Sequence, residues 1–468
     1  MQLILIVQVS IALLASEIAG SLPVSAAAGA LGLAVAPLGV LAHGLLLAWL
    51  AQRGMDRGSR RGVERLYASS GRVGWAVCLM LAIAAGSALP DAIAPVVGQA
   101  GVAILLLAVG IASTLLVYAT TWPIEKRLRE SSFMRALDGT TPVHPMPSRG
   151  AYVLAQARAG LVPMLAPLLV PILLSEMARQ VALAIAPEFA EQARLAGGMA
   201  GALLLFVLVP LLVPPLLGLR RLSEGELRDD LASLARDAGV GVREIWVWPT
   251  DGLIANAAVM GVLPGLRCVM LSDCLLEGMP RPYVRAVMAH ELGHVVHRHL
   301  AWMLVIVLGC WTVASGLVTP VAQSLAEEYA RSNADVPEST VVQVASLARD
   351  AGMLAIGLLF FGFASRRIER QADTYAVELL SRRAASASAT ADSVDAMVGA
   401  LGAVAVLNHV PPERPSWRHG SIAWRQEYLR ALVGAPNPGG AINAFVAALR
   451  WGALAVVVAG LVLGIFPF

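Results

Sequence analysis

Long apolar runs recur along this chain and restrict it to folds that place much of their surface in lipid. Runs of about 20 residues, long enough to cross a bilayer as a helix, lie near Leu3–Ala19, Val24–Ala51, Val73–Leu89, Val96–Tyr118, Ala159–Ile185, Ala196–Leu219, Ala301–Gln323, Ala351–Ala364 and Phe445–Phe466. Only 14% of the 468 residues are charged, whereas a soluble domain carries about 25%. Because the first and eighth runs are short, the sequence predicts seven to nine membrane helices.

The charges of the connecting loops predict which side of the membrane each loop occupies. The loops after the second and fourth runs are rich in arginine, with Arg53 and Arg57 in the first and Arg127 and Arg129 in the second. Both loops are predicted to be cytoplasmic, since arginine-rich loops stay on that side. We therefore expect a multi-pass protein of a bacterial inner membrane whose two large polar segments, 220–300 and 366–443, share the cytoplasmic side.

The remaining segments complete the predicted domain organisation. Residues 1–219 form an N-terminal membrane domain of about six helices, 301–365 a membrane hairpin, and 444–468 a C-terminal membrane helix. Within 220–300, the leucine spacing of Gly225–Ala238 predicts a helix, and Glu244–Trp248 and Arg267–Leu271 are typical of strands. The first polar segment is therefore predicted to be a small α/β unit.

Charge and cysteine usage exclude two classes of protein. The net charge is only +3, and no basic face interleaved with stacking aromatic residues indicates nucleic-acid binding. The four cysteines include no CxxC pair, so neither a thiolate metal site nor a disulfide framework is predicted.

The string His290–His294, His-Glu-Leu-Gly-His, carries the clearest chemical signal. A spacing of four residues places both imidazoles on one helix face, as two ligands of a tetrahedral zinc ion require. Glu291 is rotated by about 100° from His290, so it can take a proton from a zinc-activated water without binding the metal. We predict one Zn²⁺ per chain, on a helix that begins at Pro282 and continues into the seventh apolar run.

A third protein ligand must come from elsewhere in the chain. His297 shares the face of His290 but lies about 10 Å along a straight helix, so it cannot reach the same ion. We assign His297 and His299 to the membrane boundary, and a supporting role beside the zinc ligands is the alternative. Glu369 is returned to the same side by the 301–365 hairpin, and Asp373 follows one turn later, where it can accept the free N–H of a ligand histidine. Three other glutamates on that side lack such a partner: Glu378, Glu413 and Glu427.

Two longer strings resemble one known family. Ser365–Asp373, with the letters SRRIERQAD, resembles the SRxxExxAD element of the membrane metallopeptidases that include HtpX and the CAAX prenyl endoproteases. Asn256–Gly261, with the letters NAAVMG, resembles their NAxxxG element. The resemblance covers roughly Arg220 to Arg425, and the first six apolar runs match nothing specific.

The resemblance implies roles for named residues. It implies three zinc ligands, His290, His294 and Glu369, with Glu291 as the catalytic base. We place Asp373 and Arg366 of the second string among the residues that surround these ligands. The implied fold class is mainly α, a polytopic helical membrane bundle with a small cytoplasmic α/β domain of the zincin-like metalloprotease type.

The same resemblance implies a substrate site and an oxyanion site. The segment Asn256, Ala257 and Ala258 is similar to an edge strand that pairs with substrate backbone, although Asn256 alone is also typical of a turn. His419 and Arg425 resemble a His and Arg that stabilise the tetrahedral oxyanion, although Gly420 stands where the family has proline. A cationic pair at the membrane surface is the other interpretation.

The predicted function is a membrane zinc endopeptidase that cleaves membrane-associated or misfolded proteins in protein quality control. The predicted partners are the membrane and a peptide or membrane-protein substrate; nothing in the sequence indicates an oligomeric state. One alternative is a catalytically silent zinc-binding sensor or assembly factor, and the intact Glu291 argues against it. The other is an ion transporter, for which the cluster lies outside the apolar runs rather than at the midplane.

Overall fold

The computed structural model describes residues 2–59, 61–136, 146–333 and 336–463. It divides into two compact units. The first unit runs to Ala202 and includes Pro337–Val344, and the second comprises Leu203–Val336 and the chain from Ala345 onward.

The first unit is built from helices. Three of them, α3, α4 and α5, pack against one another around buried side chains that include Leu33, Leu81 and Leu106. The chain of α5 bends at Gly98, whose φ of 73° lies in the left-handed region that favours glycine. In chain order the helices are α1 (Gln2–Leu13), α2 (Ala15–Ile18), α3 (Ala26–Asp56), α4 (Arg61–Gly86), α5 (Leu89–Ala136), α6 (Arg149–Gly160), α7 (Val162–Ile185) and α8 (Ala190–Leu217), which ends in the second unit.

The second unit combines a small sheet with helices. Its strands are β1 (Arg220–Arg221), β2 (Glu244–Trp248), β3 (Ala257–Met260) and β4 (Cys268–Ser272). Its helices are α9 (Glu226–Asp237), α10 (Asp273–Gly278), α11 (Arg281–Val296), α12 (His299–Ser332), α13 (Glu338–Arg383), which begins in the first unit, α14 (Ala391–Leu407), α15 (Ile422–Arg430) and α16 (Gly440–Val462). The mainly helical fold class with a small α/β part is confirmed.

The strand order β1-β2-β4-β3 places β4 inside the sheet and β3 at its edge. β2 and β4 are parallel, whereas β3 and β4 are antiparallel. Every residue of β4 is buried, which explains why its sequence, CVMLS, is almost continuously apolar. The core beneath the sheet includes Leu231 and Leu234 of α9 and Leu292 of α11, each fully buried. Burial of each leucine contributes about 1.5–3 kcal/mol, and this core fixes the helix that carries the histidines.

The apolar helices make the chain a multi-pass membrane protein. Within the described residues, six helices are long and apolar enough to span a bilayer, or seven if a bent pair, Pro187–Leu205 with Val207–Leu217, forms one span. The predicted first run gives only the short apolar helix Ile4–Leu13, and the predicted run Ala159–Ile185 is divided between α6 and α7. Residues 464–468 of the predicted C-terminal helix lie outside the described residues.

The prediction of one continuous helix from Pro282 into the membrane is wrong. α11 ends at Val296, and α12 begins at His299. Between them Arg298 has a φ of 52°, a left-handed conformation that stops an α-helix. The helix is therefore interrupted four residues after His294.

Helix α13, in contrast, runs unbroken for 46 residues. A bilayer needs only about 20 of them, so one helix supplies both an apolar segment and the polar segment with Glu369 and Asp373. The predicted domain boundary between residues 365 and 366 falls inside this helix, and the domain boundaries remain predictions.

Candidate metal centre

Helices α11 and α13 pack closely against each other at Gly293. A Cβ atom at this position would lie 3.2 Å from both the Cα and the carbonyl oxygen of Ala372. Both distances are tighter than an ordinary van der Waals contact, so the missing side chain favours this close packing. Glu369, three residues before Ala372, is thereby placed beside the two histidines of α11.

His290, His294 and Glu369 converge on one point. One ligand atom from each lies within 4.8 Å of the others. The two histidine Nε2 atoms are 3.2 Å apart, and they lie 3.6 Å and 3.8 Å from the carboxylate oxygens of Glu369. Two imidazole nitrogens and one carboxylate oxygen are the donor set of catalytic zinc sites that keep a fourth position open. The residues present therefore fit a zinc ion.

A buried ion pair supports the first histidine and the carboxylate. Asp373 Oδ1 lies 2.8 Å from His290 Nδ1. Arg425 donates two hydrogen bonds to Asp373, of 2.7 and 2.6 Å, and its Nη1 lies 3.4 Å from Glu369 Oε2. Burial alone would lower the pKa of the Arg425 guanidinium, but the carboxylates of Asp373 and Glu369 outweigh burial and raise it. One permanent cation thus balances two buried carboxylates.

The second histidine is supported by another histidine, which the sequence had assigned to the membrane boundary. His294 Nδ1 lies 2.7 Å from His299 Nδ1, and His299 Nε2 lies 2.9 Å from Gln371 Oε1. On a continuous helix His299 would point about 140° away from His294, so no spacing rule identified it. Burial, reinforced by the charge of His290, lowers the pKa of His294 to about 4, which keeps the ring neutral as a metal ligand must be. His297 is placed apart from the ligand atoms, and its ring stacks on that of His299.

Glu291 lies beside the three ligands and lines the adjacent cavity. Burial raises the pKa of its carboxyl group to about 7, while the charge of His290 and a hydrogen bond from the Val259 backbone act in the opposite direction. The Val259 contact joins this carboxylate to the edge strand β3.

The predicted substrate segment forms that edge. Asn256 accepts a hydrogen bond from the Ser272 amide, 2.9 Å, and donates one to the Ser272 hydroxyl, 3.0 Å. Because the backbone groups of an antiparallel strand alternate in direction, Ala258 faces β4, whereas the backbone groups of Ala257 and Val259 point away from it. The Asn256 side chain accepts from the Ala257 amide at 3.0 Å.

Sequence comparison agrees with the geometry. Residues 221–432 match peptidase family M48. The match and the relatives below confirm the resemblance inferred from the SRxxExxAD and NAxxxG strings.

The curated relatives match only part of the chain. The chain is 27% identical over 157 residues to a protease HtpX homologue of Verminephrobacter eiseniae, which is 33% of this chain and 52% of that protein. It is 36% identical over 84 residues to protease HtpX of Chromohalobacter salexigens, 18% of this chain and 27% of that protein. The chain thus spans about half the length, or less, of these curated relatives. The crystal structure of S. mikatae Ste24p is 18% identical with a TM-score of 0.35, over 68% of this chain and 86% of that one.

A loop between α14 and α15 carries His419 to the metal centre. His419 Nδ1 lies 3.0 Å from Glu369 Oε1, and about half of its side chain (47%) is exposed. Arg366 donates a 2.9 Å hydrogen bond to the Trp417 carbonyl, so it contacts this loop rather than the metal ligands. Gly420 has a φ of 76°, a conformation that proline, which the resemblance implies at this position, cannot adopt.

The metal centre opens into a cavity of about 1020 Å³. Its walls include β3, the three candidate ligands and the loop of His419. An apolar part is lined by Val287, Met397, Leu401 and Val404. The cavity therefore places a strand edge, an acidic group and an apolar surface around the same metal centre.

Proposed function

We propose that this chain is a membrane-embedded zinc endopeptidase. The observation that carries the proposal is the convergence of His290, His294 and Glu369 beside Glu291, at an open edge strand. The match of residues 221–432 to peptidase family M48 supports the same activity.

In this proposal the three convergent residues hold one Zn²⁺ per chain. A bound zinc supplies a water molecule of lowered pKa and polarises the carbonyl to be attacked. Glu291 takes the proton released from the water and passes it to the leaving amine. Asp373 fixes the orientation of the His290 ring, because a ligand histidine whose second nitrogen is engaged cannot rotate.

His419 and Arg425 have different tasks in this scheme. Arg425 is committed to Asp373 and Glu369, so we propose that it holds both carboxylates in place and contributes positive charge. His419 is partly exposed and lies at the edge of the centre. We propose that it donates a hydrogen bond to the oxyanion that forms during attack, and that Arg366 positions its loop.

The substrate is proposed to bind as an added strand along β3. The outward carbonyl groups of Ala257 and Val259 offer hydrogen bonds to an extended peptide, while the Val259 amide stays with Glu291. The Asn256 side chain would release the Ala257 amide as the peptide arrives. We propose membrane-associated or misfolded proteins as substrates, because the metal centre stands on extensions of membrane helices. The arginine-rich loops favour cleavage on the cytoplasmic side of a bacterial inner membrane. The proposed biological role is protein quality control.

Metal removal tests the proposed activity. The purified protein in detergent should contain about one zinc per chain and cleave casein. The chelator 1,10-phenanthroline should abolish cleavage, and added Zn²⁺ should restore it. A protein that binds zinc without cleaving casein or any unfolded membrane protein would instead support the silent sensor or assembly factor.

Replacing Glu369 by alanine tests the third ligand. Glu369→Ala should lose bound zinc and activity together, since two imidazoles alone hold zinc weakly. His297→Ala is the matched control and should retain zinc, because its ring is not among the three converging side chains. Zinc content measured by atomic emission decides between them, and retention of zinc in Glu369→Ala with loss in His297→Ala would reassign the ligand.

A further inference from the structure

A line of polar side chains leads from His294 away from the metal centre. His299 and Gln371 follow it, and both are almost fully buried, with exposed fractions of 4% and 2%. Asn443 and Arg450 of α16 contact Gln371 from the other side. Buried polar groups require partners, so the direction of each hydrogen bond can be deduced from the groups at the far end.

Asn443 and Arg450 fix the orientation of the Gln371 amide. Arg450 has only donors, and its Nη2 lies 3.0 Å from Gln371 Oε1. The amide nitrogen of Gln371 donates to Asn443 Oδ1 at 2.8 Å. The oxygen of Gln371 is therefore the atom that faces His299.

The orientation of the Gln371 amide determines which ring nitrogen carries hydrogen in both His299 and His294. The Nε2 atom of His299 must carry hydrogen to donate to Gln371 Oε1, 2.9 Å away. A neutral imidazole has one donor and one acceptor, so His299 Nδ1 accepts, and the hydrogen between the two rings, 2.7 Å apart, belongs to His294 Nδ1. The Nε2 lone pair of His294 is left facing His290 and Glu369.

We propose that His299 is a positioning residue that selects the metal-binding tautomer of His294. The hydrogen bonds from His294 to His299 and from His299 to Gln371 form a relay, and Arg450 fixes its direction. The inference rests on the proposed metal site. The two ligand histidines are then held by different means, His290 by the Asp373 carboxylate and His294 by a neutral imidazole. Without an acceptor at residue 299, His294 is free to carry its hydrogen on Nε2 or to rotate, and both changes weaken metal binding.

The test compares two substitutions of His299 in the full-length protein in detergent. His299→Leu removes the acceptor, whereas His299→Asn keeps an oxygen near the place of Nδ1. Zinc affinity is measured by competition with a chromogenic chelator, and ligand geometry by the absorption spectrum of the Co²⁺-substituted protein. His299→Leu should bind zinc about 10- to 100-fold more weakly, the usual effect of losing a partner of a ligand histidine, with an altered Co²⁺ spectrum, and His299→Asn should recover most of the loss.

A neighbouring histidine and a second pair of variants complete the test. His297→Leu removes an imidazole that stacks on His299 but lies outside the relay, so its zinc affinity should equal the wild-type value. If His299→Leu does not fold, Gln371→Met and Gln371→Glu decide: methionine offers no oxygen and should weaken zinc binding, whereas glutamate still accepts from His299 and should preserve it.

The outcomes separate this inference from the proposed function. Wild-type affinity in His299→Leu or in Gln371→Met, or an equal loss in the leucine and asparagine variants, overturns the relay while the zinc site stands. A wild-type protein that binds no zinc overturns the proposed function itself.

Discussion

Replacing Glu291 by glutamine is expected to lower casein cleavage about 10²- to 10⁴-fold, the usual contribution of a general base, while leaving one zinc per chain. Glutamine keeps the size of the side chain and its ability to accept a hydrogen bond from the Val259 backbone. It cannot take a proton, so only the chemical step is lost. Initial rates and zinc content are measured on the same detergent-purified samples.

Glu427→Gln provides the control for the Glu291 variant. Glu427 is an exposed residue of α15 in the same unit, and the same substitution there should change neither the rate nor the zinc content. Cleavage that persists at the wild-type rate in Glu291→Gln would remove Glu291 from the mechanism, even if zinc binding is unaffected.

Replacing Arg425 by methionine is expected to have the largest effect on stability. The guanidinium is buried and is paired with Asp373 by two hydrogen bonds. Methionine has a similar length but no charge, so the Asp373 and Glu369 carboxylates would remain buried without their cation. Breaking a buried pair from one side costs about 3–5 kcal/mol. The midpoint of thermal unfolding in detergent should therefore fall clearly, and zinc content should fall with it as both carboxylates lose their positions.

Arg430→Met is the matched control for the Arg425 variant. Arg430 lies in the same helix, α15, but is exposed, so its replacement should leave the unfolding midpoint nearly unchanged. Equal midpoints for the two variants would show that the Arg425 ion pair adds no stability beyond that of an exposed arginine.

The membrane helices, the histidine pair and two strands were predicted from the sequence because each depends on interactions between residues that are close in the chain. Apolar runs identified the membrane character, since a spanning helix must satisfy its own backbone in lipid. The four-residue spacing of His290 and His294 placed both rings on one face, because the helical period requires it. Glu369 was predicted as their partner because a hairpin returns the chain to the same side, and the structure brings the three residues together. β2 begins and ends at the predicted residues, and β4 begins one residue later than predicted.

The arrangement around those residues was decided by tertiary structure. The left-handed conformation at Arg298 ends α11, and the turn brings His299 back to His294, which no periodicity of a continuous helix predicts. Arg425 was expected to face an oxyanion, yet its hydrogen bonds are made to a carboxylate on another helix, 52 residues away in the chain. Helical and strand periods report only which residues share a face. Which distant group meets that face depends on how helices pack, as at Gly293 and Ala372, and on where a single backbone angle redirects the chain.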